Sequence, residues 1–189
     1  MVVDLLALGN TKIATRPATD QDTLFLEDLF ADVNRHEFAP LNLSSQMLDG
    51  LLKMQARAQK VGYGSEFPEA VDRLILKSPK QDGVHGEPQD QPVGRIFLHT
   101  DDRNIHLVDI AILPEFQRQG LGTSLLTDVL ALSDKYGLAT RLSVRPHNSA
   151  LRLYLRLGFV VTCSDYPLQM ARPPLIRGPR ANFATPRVD

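Results

Sequence analysis

Apolar positions along the chain change period several times, and each change marks an element. Leu24, Phe25, Leu29, Phe30 and Val33 recur at helical spacing, which predicts a helix over residues 20–34. Thr19 followed by Asp22 supplies a start resembling a capping box. Met47, Leu48, Leu51, Leu52 and Ala58 share one face of a second helix that Ser44 or Ser45 can cap. Between the two, residues 35–43 read as a loop carrying His36 and Glu37, and residues 61–68, rich in Gly and aromatics, read as irregular. The pattern then becomes strand-like. Leu74-Ile75-Leu76 centres a strand over 72–77, and strands over 93–100 and 105–113 flank the polar stretch 101–104 as an antiparallel hairpin would. After Pro114 the helical period returns through Leu121, Leu125, Val129, Leu132 and Tyr136, up to Gly137. A strand over 138–144, a short helix over 148–157 stopped by Gly158, and strands over 159–163 and 166–170 complete the series. Residues 12–16 form a weak first strand closed by Pro17, residues 1–11 a frayed or strand-like arm, and residues 78–91 a polar turn.

The resulting order, β-α-α-β-β-β-α-β-α-β-β, implies an α/β chain of the mixed α+β kind: one mixed central sheet flanked by helices. Its 189 residues suit one domain, drawn here over 1–171, followed by a tail over 172–189. The tail holds four Pro and four Arg with little apolar periodicity, so an extended or partly disordered segment is expected. A net charge of −1 gives no footprint for nucleic acid or an anionic membrane. The apolar start of the chain is short, interrupted by Asp4 and without a preceding Lys or Arg, unlike a secretory signal. No stretch approaches the roughly 18 apolar residues of a membrane span. The single cysteine, Cys163, allows no intrachain disulfide and is expected to be a buried structural thiol. Together these point to the cytoplasm. No Cys/His set has metal-ligand spacing, so no metal is expected.

The stretch from Val108 to Thr123 carries the chemistry. A strand runs into a proline turn, and Gly120 and Gly122 open a helix. The first amides of a helix lack intrahelical acceptors, and the helix dipole adds positive potential there. Glycines let a diphosphate approach that backbone, and Arg118 can add charge. A dinucleotide fingerprint would place Gly or Ala at position 125, where Leu125 stands. A P-loop would place Lys directly after the second glycine, where Thr123 stands. The plainer alternative for both glycines is close helix–sheet packing.

Gln117-Arg118-Gln119-Gly120-Leu121-Gly122 resembles the Gln/Arg-x-x-Gly-x-Gly/Ala signature of the GNAT acetyltransferase superfamily. Downstream, the segment from Asn148 to Phe159 resembles the family's Asn…Ala-x-x-x-Tyr-x-x-Leu-Gly-Phe. The resemblance implies the GNAT acyl-CoA N-acyltransferase fold and acetyl-CoA as cosubstrate. It implies that backbone groups of Ile110, Ala111 and Ile112 pair with the pantetheine arm and that the segment Gln117, Arg118, Gln119, Gly120, Leu121, Gly122 and Thr123 holds the pyrophosphate. Asn148 would contact the CoA arm. Tyr154 matches the family's general acid and would protonate or hydrogen-bond the departing thiolate. A Glu that some relatives carry as base is replaced here by Ser143. Asp109, expected on the central strand ahead of its bulge, is therefore the first candidate for general base, with Glu66 and His99 as weaker ones. The loop that carries His36 and Glu37 borders the acceptor site in the family, though an ordinary solvated loop is the favoured expectation for these two residues. The implied reaction is acetyl transfer to a primary amine of a small molecule or peptide, with homodimerisation common among such proteins. The competing expectation is an acetyl-CoA-binding sensor with little turnover.

Overall fold

The computed structural model describes residues 13–77 and 90–175. The arm over 1–11, most of the polar turn over 78–91 and the tail beyond 175 lie outside the described residues. Along the chain run β1 (Ala14–Pro17), α1 (Thr23–Phe38), α2 (Ser45–Glu66), β2 (Val71–Lys77), β3 (Gln91–Thr100) and β4 (Asn104–Ile112), then α3 (Leu121–Tyr136), β5 (Ala139–Val144), α4 (Leu151–Arg156), β6 (Val160–Cys163) and β7 (Leu168–Arg172). The strands form one mixed sheet in the order β1-β2-β3-β4-β5-β7-β6. All neighbours are antiparallel except β4 and β5, which the crossover through α3 makes parallel.

One face of the sheet carries Ile75, Ile96, Leu98, Ile105 and Leu107 into a core closed by Leu125, Leu126 and Val129 of α3. These α3 residues recur at helical spacing, so a single stripe is removed from water. At roughly 25 cal/mol per Å² of apolar surface, each fully buried Leu or Ile stabilises by about 2 kcal/mol. α1 and α2 pack against each other, and the half-buried Tyr63 of α2 stacks on Phe97 of β3.

Four expectations change. α1 runs through His36 and Glu37 to Phe38, because Pro40 removes helical hydrogen bonding only from its own turn. α2 continues over the segment read as irregular. Gly62 and Gly64 cost about 1 kcal/mol each relative to Ala, and the stacking of Tyr63 on Phe97 helps offset that. The tail boundary falls inside β7: Arg172 is buried and forks onto Asp134 of α3 at 2.8 and 3.1 Å. Finally, Cys163 is half-buried rather than enclosed, because β6 is an edge strand.

Candidate active site

The strand pairing of β4 creates an opening. β4 pairs with β5 from Asn104↔Ala139 to Leu107↔Leu142, and beyond that point it is held by β3 alone. The register with β3 slips where Phe97 faces Asp109 while Leu98 faces Leu107, leaving Val108 as the extra residue. The bulge thus precedes Asp109 rather than following it. Ile110, Ala111 and Ile112 lie past the last β5 pair, on the diverging side of the sheet.

A 3-10 turn over Pro114–Phe116 then leads to α3. Gln117 donates from Nε2 to the Ile112 carbonyl at 2.8 Å, and Gln119 donates to the Glu115 carbonyl at 2.8 Å. Lys77 donates to Gln119 Oε1 at 2.6 Å. The side chains of Gln117 and Gln119 thus brace the turn. Arg118 and Gly120 have positive φ values of 58° and 85°. Gly120 is the N-cap of α3, and no side chain caps the helix there. A Cβ at Gly120 would meet nothing within 4 Å, and one at Gly122 would make only ordinary contact with Ile112 and Leu153 at 3.6 and 3.9 Å. Close packing against the sheet therefore requires neither glycine. Gly120 is needed for its φ, and the amides of Leu121, Gly122 and Thr123 open α3 with no side-chain cap, the kind of helix entrance that can receive an anion.

Asn148 enters α4 from the other side of the opening. Its Oδ1 accepts from the Ala150 N–H at 2.8 Å, so part of its bonding capacity orders the helix entrance. Tyr154 on α4 is 5% exposed and packs edge-on against Phe159, with centroids 5.8 Å apart. Burial, with a smaller contribution from the Asp109 charge, pushes its phenol up to about 12.

Asp109 on β4 stands opposite Phe97 of β3, and Arg95, Asp72, Tyr63 and Tyr154 all lie within electrostatic reach of it. Its side chain keeps 24% of its surface accessible. Burial pushes it up to about 6, the nearby Arg95 opposes that rise, Asp72 adds to it, and the Ile110 N–H opposes it. Tyr63 is pushed up to about 12, first by burial and then by the Asp109 charge. Tyr63 and Tyr154, from helices far apart in sequence, thus both sense this carboxylate.

The other candidates are placed differently. Glu66 is exposed at the end of α2. The His99 ring lies 5.3 Å from Phe67 and 5.8 Å from His106, and its Nδ1 is enclosed without a hydrogen-bond partner. His36 is exposed, whereas Glu37 pairs with Arg145 just beyond β5. Ser143, at the position of the missing Glu, hydrogen-bonds Gln169 at 2.8 Å. Tyr63 and Arg95 escaped the sequence reading. The one available signal for Tyr63 was an aromatic continuing the α2 period past Gly62. Among the described residues, no group of acidic, His or Cys side chains could hold a metal ion.

The sequence profile of the acetyltransferase (GNAT) domain matches residues 51–168. The [ribosomal protein bS18]-alanine N-acetyltransferase of Escherichia coli K12 is 47% identical over 55 residues, covering 28% of this chain and 37% of that protein. The chain thus matches little more than a third of the length of that curated relative. The crystal structure of the Escherichia coli enzyme of that name superposes with a TM-score of 0.55 at 20% identity, over 91% of this chain and all of that one. The PaiA N-acetyltransferase of Thermoplasma acidophilum, crystallised with coenzyme A, gives a TM-score of 0.60 at 17% identity, over 86% of this chain and 99% of that one.

Proposed function

Because this chain belongs to the acetyltransferase (GNAT) domain family, we propose that it transfers an acetyl group from acetyl-CoA to a primary amine by direct attack. The observation that carries this reading is the uncapped entrance of α3 behind Gly120, set beside a stretch of β4 that only β3 holds. The amides of Leu121, Gly122 and Thr123, with Arg118, would grip the diphosphate. The backbone of Ile110 and Ala111 would align the pantetheine arm, and that of Ile112 in part, since its carbonyl already accepts from Gln117. Acetyl-CoA, when bound, supplies the electrophilic thioester carbonyl.

The acceptor must lose a proton before it can attack, because an ammonium has no lone pair. Asp109 receives that proton, directly or through one water, and is ionised at neutral pH with its value of about 6. Tyr154 then meets the departing sulfur. With its phenol at about 12, complete proton transfer to a thiolate near ~8.5 would run uphill by about 5 kcal/mol. Tyr154 therefore acts as a hydrogen-bond donor that stabilises the leaving thiolate. A protein or peptide amine is the acceptor class to test first, since the relatives' named substrate is an alanine of a ribosomal protein. A cytoplasmic setting suits a chain with one cysteine.

Calorimetric titration with CoA, paired with turnover on small amines and peptide N-termini, tests the reading. Saturable CoA binding with turnover of at least one amine is expected. Binding without turnover on any amine would favour a sensor, a role against which the shared Asp109–Tyr154 surroundings argue. Folded protein that ignores CoA would sink both.

A further inference from the structure

Arg95 is 8% exposed and serves two carboxylates with different edges of its guanidinium. Nε and Nη2 donate to Asp72 at 2.8 Å each, a fork that fixes the plane of the group. Its Nη1 is left facing Asp109 Oδ2 at 3.8 Å. The guanidinium also lies 4.8 Å from the Phe97 ring centroid and 5.9 Å from that of Tyr63. We propose that Arg95, anchored by Asp72, is a positioning residue that keeps the Asp109 carboxylate ionised and turned toward the acceptor amine. This rests on the reading of Asp109 as the general base.

The distances give the reason. A structural ion pair is complete with Asp72 alone, which already takes the bidentate edge. At 3.8 Å the Asp109 oxygen is too far for a hydrogen bond, yet near enough for a strong charge effect between two side chains largely withdrawn from water. Asp109 therefore gains electrostatic support without engaging the lone pairs that must take the amine proton. Asp72 works in the opposite sense, since its own negative charge disfavours ionisation of Asp109 and its fork holds Arg95 back from closer contact. A lysine could supply charge there but not the two-edged geometry. The other titratable groups coupled to the Asp109 charge are Tyr63 of α2 and Tyr154 of α4, and Glu66 and Arg145 act in turn on Tyr63.

The test reads Asp109 itself. In full-length protein with 13C-labelled aspartate, its carboxyl signal, assigned by loss in Asp109→Asn, is titrated by NMR. Wild type should titrate near about 6. Arg95→Gln should move the midpoint up by about one unit or more, and Asp72→Asn should move it down. Arg95→Lys should fall between wild type and Arg95→Gln. The acidic limb of the pH profile of kcat/KM should shift with the same signs, which a loss of packing would not produce. If Arg95→Gln unfolds the chain, Asp72→Asn and Arg95→Lys still decide. Midpoints that do not move, or move in the same direction in Arg95→Gln and Asp72→Asn, overturn the proposal. Opposed NMR shifts with a pH profile that ignores them would overturn the base role of Asp109 instead.

Discussion

At the scale of single residues, environment separates two carboxylates that look alike in sequence. Asp22 takes a fork from Arg16 at 2.8 and 2.6 Å, which holds its carboxyl well below the usual range. Its stabilising contribution is present above the ordinary value of about 4 and is lost as pH falls through the lowered one. Asp109 has the opposite sign. Raised to about 6, it binds its proton more tightly in the folded state, so stability declines as pH rises from about 4 to about 6. The cost of ionising it at neutral pH is on the order of 3 kcal/mol. Asp109→Asn should therefore melt above wild type near pH 8 and lose that advantage near pH 4, while turnover collapses. Thermal melts across pH check this. Tyr154→Phe should lower kcat by about 10- to 100-fold, the value of one hydrogen bond to a charged group, with CoA affinity unchanged by calorimetry. Equal turnover in wild type and Tyr154→Phe would remove the tyrosine from the mechanism.

At the scale of elements, three glycines separate backbone need from space. Gly120 opens α3 at a φ of 85°, with nothing near its missing Cβ. Gly120→Ala should cost about 1–2 kcal/mol of stability through strain and weaken CoA binding. Gly122→Ala makes only ordinary contacts and should change stability by less than about 0.5 kcal/mol. Gly94 on β3 differs from both, because a Cβ there would fall 2.4 Å from the Ala111 backbone oxygen, inside the β3–β4 pairing. Gly94→Ala should destabilise by about 3 kcal/mol and displace the stretch of β4 around Ala111 proposed to align the pantetheine arm. Chemical denaturation ranks the three. Periodicity predicted α3 well because one apolar stripe faces one core. It stopped short on α1 and α2, where the last turns carry Glu37 and Tyr63, whose partners Arg145 and Phe97 lie far along the chain.

At the scale of the whole molecule, the site is a seam where the sheet diverges. β4 leaves β5 after Leu107 and continues on β3 alone, so its start lies within the sheet and its end beside an opening. Hydrogen exchange should show the amides of 108–112 and 121–123 slowing on CoA addition, with those of 104–107 unaltered. Uniform slowing across β4 would argue against a localised opening. What the amino-acid order determined by itself was the succession of elements and the uncapped helix entrance at Gly120. Both depend on neighbours a few residues apart, and a helix entrance is a local structure whose free amides any reader of the chain can count. Only the tertiary structure decided which side chains gather around Asp109. Asp72, Tyr63, Arg95, Asp109 and Tyr154 meet because strand pairing and helix packing bring distant segments together. The raised values of Asp109, Tyr63 and Tyr154 then follow from burial and from neighbouring charges, and no property of the isolated residue contains either.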